Sequence, residues 1–139
     1  MPYDSSVKTK EVALDTLFQA LGDRTRLRLL NLIEGGEVCV CFLVEILEAP
    51  QPKISRHLAY LRRAGLVKAR RDGKWMSYSL ASALPPATRG ILAATLDALR
   101  QDSEMKRDRA ALMKACCSPR LTDQLLRAPR PAFPELPSR

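Results

Sequence analysis

The chain has 139 residues, 46% of them apolar, with four cysteines, one histidine and a formal net charge of +8. That length suits one domain around one core, and the apolar fraction excludes a disordered polar chain. No apolar run is long enough to cross a bilayer, and the polar start from Met1 to Lys10 holds no signal-peptide core, so a cytoplasmic protein with reduced thiols and no membrane partner is expected.

Leu14, Leu17, Phe18 and Leu21 recur at helical spacing and predict a first helix ending at Gly22. Asp23 is placed to cap a second helix carrying Leu27, Leu30 and Ile33, closed by Gly35-Gly36. A short third helix is expected from about Cys41 to Glu48, then a tight turn over Ala49-Pro50-Gln51. Pro52 suits the first position of a fourth helix, with Gln51 as its cap. That helix buries Ile54, Leu58 and Leu61 and stops at Gly65. The period then changes to two. Leu66–Arg71 and Trp75–Leu80 read as strands, and Asp72-Gly73 between them is a strong hairpin signal. Met76, Tyr78 and Leu80 share one face. A long helix resumes near Thr88 with Leu92, Leu96 and Leu99 on one stripe. It is expected to break near Asp102-Ser103 and continue to Cys117, with Pro119 ending it. The stripe exceeds what one small domain needs to bury, which points to a homodimer through the first and last helices.

The fold class expected is mainly α with a small β-hairpin (α+β), a winged helix-turn-helix. One DNA-binding and dimerisation domain would cover residues 8–118, and a Pro-rich tail over 119–139 is expected to be mobile. The charge is concentrated. Between Lys53 and Lys74 stand eight basic residues and one acid, Asp72, so this unit carries +7 and the rest of the chain +1. Nearly all the excess in one supersecondary unit points to a polyanion, here double-stranded DNA. The fourth helix would enter a major groove and the hairpin would be the wing. Gln51, Lys53, Ser55 and Arg56 open that helix and would meet base edges or phosphates, with His57 as a structural residue or phosphate contact. Arg70, Arg71 and Lys74 would grip the backbone from the wing.

The runs Glu37-Val38-Cys39-Val40-Cys41, Gln51-Pro52-Lys53-Ile54-Ser55-Arg56-His57-Leu58, Gly65-Leu66-Val67 and Gly73-Lys74-Trp75 together resemble the ArsR/SmtB family, and most closely its arsenic-responsive branch. The resemblance implies a homodimeric winged-helix repressor, not an enzyme. Such a repressor leaves operator DNA on binding arsenic, antimony or a soft metal. It also implies that Cys39 and Cys41 bind the inducer. The branch's usual third cysteine falls on Val44 here, the paired histidines of its zinc-binding members are missing, and the chain instead carries Cys116-Cys117.

Trivalent arsenic and antimony are soft and take thiolate ligands. Arsenite, methylarsenite or antimonite is therefore the expected inducer, with no organic cofactor. Positions 39 and 41 do not share a helix face, so within a helix they would hold one ion only if its first turn were distorted. Cys116 or Cys117, from the same or the partner chain, is a candidate for the third sulfur. Free cysteines are also common as small buried apolar residues. A thiol-redox regulator of the same fold is the alternative reading. A constitutive DNA binder and a thiol oxidoreductase are further ones, the last disfavoured by the lack of Cys-x-x-Cys.

Overall fold

The computed structural model describes residues 13–117 and 128–131. In chain order the elements are α1 (Leu14–Leu21), α2 (Arg24–Ile33), β1 (Val38–Cys39), α3 (Val40–Leu47), α4 (Gln51–Arg63), β2 (Val67–Asp72), β3 (Trp75–Leu80), α5 (Pro86–Leu99) and α6 (Ser103–Cys117). Helices α3 and α4 form the helix-turn-helix, and β2 and β3 form the wing. Expectations for the N-terminal arm, the stop at Pro119 and most of the tail fall outside the described residues. Within the tail, Ala128 is buried and Arg130 donates to the Cys116 carbonyl at 3.3 Å, so this stretch packs on the domain.

Local chemistry sets the helix ends. Asp23 is extended and accepts from the Arg26 N–H at 3.0 Å, which starts α2 as expected. Gly65 (φ +79) ends α4: its N–H bonds the Arg62 carbonyl and the Leu66 N–H bonds the Leu61 carbonyl, both at 3.0 Å. That pair of bonds is a Schellman cap, which needs the left-handed conformation glycine adopts freely. Gly73 (φ +64) and Lys74 make the wing's two-residue turn, with Asp72 paired to Trp75 inside the ladder. The turn is thus shifted one residue from Asp72-Gly73, with glycine at its first position.

Several boundaries differ from the sequence reading. Helix α4 begins at Gln51 with Pro50 as its cap, so Gln51 is the first helical residue and carries no capping duty. Helix α5 begins at Pro86, a position where a missing N–H costs nothing. Helix α3 begins at Val40, and Cys39 precedes it in extended conformation. Most importantly, β1 is a third strand. It pairs antiparallel with β3, Val38 opposite Tyr78 and Cys39 opposite Ser77, giving the order β1-β3-β2.

One core joins the layers. Phe42, Leu43, Leu29, Leu30, Ile54, Leu58, Leu61 and Leu66 are all fully enclosed, so α2, α3 and α4 share it with the base of the wing. Leu92, Leu96 and Leu99 are buried within the single chain. The stripe on α5 therefore needs no partner, and that argument for dimerisation is corrected. Among the described residues, the large apolar side chains left exposed are Leu14 (56% exposed) and Phe18 (54%), one turn apart on α1, and Met113 on α6.

Helix α6 is fastened to α2 by charge. Arg28 grips Asp108 in bidentate fashion, Nε to Oδ2 at 2.8 Å and Nη2 to Oδ1 at 3.0 Å, with the carboxylate buried. Arg24 reaches Asp102 and Glu104, and the buried Asn31 donates to the Met105 carbonyl at 3.1 Å and accepts from Arg109. Removing one partner leaves the other's charge desolvated. Asp108→Ala is expected to destabilise the fold by about 2–3 kcal/mol. Urea denaturation would read this as a lower midpoint, and Arg28→Met in the same chain should restore part of it.

Candidate functional site

The first turn of α4 presents Gln51, Lys53 and Arg56 to solvent, with Ser55 half-buried beside them. No acid stands in that turn, so nothing offsets the positive end of the helix dipole there. His57 is turned partly inward. Its Nδ1 lies 3.4 Å from Arg26 Nη1 and 3.8 Å from Asp23 Oδ1. Burial pushes the ring's pKa down, with Asp23 opposing and Arg26 reinforcing that shift, so the imidazole is neutral at pH 7 and accepts from Arg26. On this geometry His57 ties α4 to α2.

The basic unit is almost free of ion pairs. Outside it, Arg24, Arg28 and Arg100 are paired with carboxylates, whereas among the described residues Arg26, Arg89, Lys106, Arg107 and Lys114 have none within 4 Å. Inside it, among the described residues, Lys53, Arg56, Arg62, Arg63, Lys68, Arg71 and Lys74 have no carboxylate within 4 Å. Arg70 is the exception. It donates Nε to Glu37 Oε2 at 2.9 Å and Nη2 to Oε1 at 2.7 Å. The Arg70 guanidinium holds the Glu37 carboxyl below its usual pKa, so the pair is intact at neutral pH and is lost only as pH falls through that lowered value. Of the three wing residues expected to grip DNA, Arg71 and Lys74 are exposed and uncompensated, whereas Arg70 is engaged within the chain. Lys74 also stands 5.2 Å over the Trp75 ring. Alanine at Arg71 or Lys74 is thus expected to weaken duplex binding more than Arg70→Ala, measured by fluorescence anisotropy at fixed salt. Gln51→Ala should instead alter sequence preference.

The thiols sit at the junction of sheet and helix. Cys39 is the last residue of β1 and Cys41 the second residue of α3, and both are buried. Cys39 is extended (φ −67, ψ 141) just before the helix begins. Its thiol therefore lies beside the Cys41 thiol and the N–H groups of Val40 and Cys41. Cys39 stands just before α3 and Cys41 inside it, so the two thiols meet at the start of the helix and not on one helix face. Burial, with the neighbouring thiol, pushes Cys39 up to about 11, so it is neutral at pH 7. Cys116, half-buried on α6, donates to the Met113 carbonyl at 3.3 Å. Among the described residues no three His, Cys, Asp or Glu side chains cluster to hold a metal ion. The Cys117 side chain lies outside the description.

Two connections lead from the thiols to the basic unit. The β1–β3 ladder places Cys39 opposite the buried Ser77 of the wing, and Glu37, two residues before it, holds Arg70. Cys41 rides on α3, which packs against α4. Neither β1 nor the Glu37–Arg70 pair was foreseen. A two-residue strand shows no periodicity, and both depend on partners more than 30 residues away.

Residues 23–69 match the family model described as bacterial regulatory protein, arsR family. The chain is 46% identical over 86 residues to the arsenic resistance transcriptional regulator ArsR2 of Pseudomonas putida, covering 61% of this chain and 75% of that one. It is 51% identical over 70 residues to the arsenical resistance operon repressor of Escherichia coli, covering 50% of this chain and 60% of the repressor. Among solved structures it resembles reduced HlyU from Vibrio cholerae, with a TM-score of 0.54 and 31% identity over 63% of this chain and 85% of that one. No helix among the described residues is long and apolar enough to cross a membrane. The chain belongs to the ArsR family of bacterial regulatory proteins: it is a winged helix-turn-helix transcriptional regulator, not an enzyme.

Proposed function

We propose that this regulator is a homodimeric repressor that holds double-stranded operator DNA through α4 and the wing. It releases the DNA when arsenite, methylarsenite or antimonite binds Cys39 and Cys41. The observation that carries this is the meeting of two thiols where β1, laddered to the wing, becomes α3, packed on α4. Relatives named as arsenic resistance regulators support the choice of inducer. Each thiol that condenses with an arsenic hydroxyl forms one As–S bond and loses its proton with that hydroxyl as water, so the buried, neutral Cys39 thiol suits a neutral arsenous acid. The pair is buried, so seating an arsenic atom between the sulfurs must part β1 from α3. The ligand-bound arrangement is thereby the one with a displaced wing and α4. Cys116 or Cys117 of the partner chain remains the proposed source of a third sulfur, and without it a two-thiol ligand such as methylarsenite fits best.

The same burial argues against the redox alternative. Oxidant-sensing cysteines are exposed and of low pKa, and Cys39 is neither. The test is release of a labelled duplex on titration with arsenite, methylarsenite, antimonite and hydrogen peroxide. Release by the arsenicals at concentrations near that of the protein, with peroxide inert, is expected. Release by peroxide alone would replace this reading with the redox one.

Dimerisation is proposed through α1, where Leu14 and Phe18 expose a contiguous apolar face. Phe18→Glu should shift the protein to monomer in sedimentation velocity. It should also cost roughly a hundredfold in affinity for a two-half-site duplex, since linked half-sites are no longer engaged together.

A further inference from the structure

Between α2 and α4 lies a cavity of about 380 Å³ walled by Arg26, Arg56, His57, Ala59, Tyr60 and Arg63. Three arginines line it, and among the described residues no carboxylate lies within 4 Å of any of their guanidiniums. The nearby acid, Asp23, is already committed to the Arg26 backbone N–H and faces His57. Like charges brought together this way repel unless an anion sits among them.

The arrangement is also built. Arg26 donates Nε to the Ala20 carbonyl at 2.9 Å and Nη2 to the Gln19 carbonyl at 2.7 Å, so the end of α1 fixes it. Its guanidinium carbon is 4.0 Å from the centroid of the Tyr60 ring, and that of Arg63 is 5.8 Å from the same ring. Tyr60 is thus a platform that orders two cations before any ligand arrives. Arg56, on the exposed face of α4, stands on the same wall.

We infer that this cavity seats a phosphate group of the DNA backbone. Arg56, Tyr60 and Arg63 follow Lys53 along α4 at steps of three and four, so they lie on one stripe of the helix. When the first turn of α4 enters a major groove, the later part of that stripe passes the phosphate ridge, where a positive pocket positions the helix without reading sequence. Arg63 and Arg56 bind the phosphate oxygens, and Arg26 and Tyr60 hold the pocket open. The inference rests on the DNA-binding reading above and adds a contact to it.

Arg63 is exposed and makes no ion pair, so its replacement should leave the fold intact, which a thermal melt checks. Binding of a random-sequence duplex is measured across a salt series for wild type, Arg63→Gln, Arg63→Lys and, as an exposed control, Arg107→Gln. In Arg63→Gln the log–log slope should become shallower by about 0.9 per protomer, the value of one lost phosphate contact. Arg63→Lys should keep the wild-type slope, and so should Arg107→Gln. A wild-type slope in Arg63→Gln, with the wild type itself binding steeply, overturns the phosphate pocket and leaves the DNA reading standing. A wild type with no salt-dependent duplex binding overturns both. Inorganic phosphate, followed by the Tyr60 ring resonances of the DNA-free protein, is the second arm. Saturation at low millimolar phosphate that Arg63→Gln abolishes, with the duplex slope unchanged in Arg63→Gln, would assign the pocket to a free anion and overturn the duplex as its source.

Discussion

Cys39→Ser and Cys41→Ser should each bind duplex DNA much as the wild type does, and neither should release it when arsenite is added. Wild-type affinity should fall roughly 10- to 100-fold on arsenite, the usual range of coupling between two sites in one protein. The two thiols are buried where β1 becomes α3, whereas the basic side chains of α4 and the wing are exposed, so serine should leave the reading surface unchanged. Burying a hydroxyl in place of a thiol costs about 1–3 kcal/mol unless it finds a hydrogen bond, and the N–H groups at the start of α3 offer one. Loss of response with retained binding and a cooperative melt would therefore report on ligation and not on unfolding. Cys116→Ser and Cys117→Ser separate the ligands. If either sulfur completes the site from the partner chain, its loss should weaken the arsenite response more than the methylarsenite response. Tail variants that respond to arsenite like wild type would remove the tail pair from the site.

Duplex affinity should fall about a thousandfold between 50 and 200 mM salt, with a log–log slope of roughly −5 or steeper. The magnitude follows from the charge inventory. Among the described residues, seven basic residues of the reading unit stand without a carboxylate partner in each protomer, while Arg24, Arg28 and Arg100 outside it are paired with Asp102, Asp108, Glu34 and neighbouring acids. Two protomers on one duplex need to use fewer than half of these to reach six phosphate contacts. A flat salt response would remove DNA as the partner. The engaged Arg70 gives a finer check: in Glu37→Gln the guanidinium is less firmly held, so binding should strengthen at low salt.

Much of this fold is legible in the sequence because its determinants are local. The Asp23 cap, the Gly65 stop and the Ile54-Leu58-Leu61 stripe are set by residues a few positions apart and stand where the pattern places them, and the wing hairpin forms with its turn shifted by one residue. What is not legible is non-local. The strand β1 exists only because Val38 and Cys39 find Tyr78 and Ser77, and Arg70 loses its freedom only because Glu37 is folded onto it. The α5 stripe looks surplus in the sequence because nothing in its spacing tells a partner subunit from the rest of its own chain, which buries it. The same holds at the site. The Cys-x-Cys motif is plain, but the helix boundary that lets its sulfurs meet falls between them, and a boundary of one residue is below what periodicity resolves. The arginine pocket was invisible for a related reason. Arg26 lies outside the basic segment and joins Arg56 and Arg63 only when α2 packs beside α4.

The central claim is that ligation of Cys39 and Cys41 and release of DNA are one event. The direct measurement is a titration of the preformed protein–duplex complex with methylarsenite. Anisotropy of the duplex and protection of each cysteine from alkylation, read by mass spectrometry, are followed in the same samples. Protection of Cys39 and Cys41 should rise in step with duplex release and reach completion together with it at one equivalent per protomer. Release that precedes their protection, or full protection of both with the duplex still bound, would contradict the account.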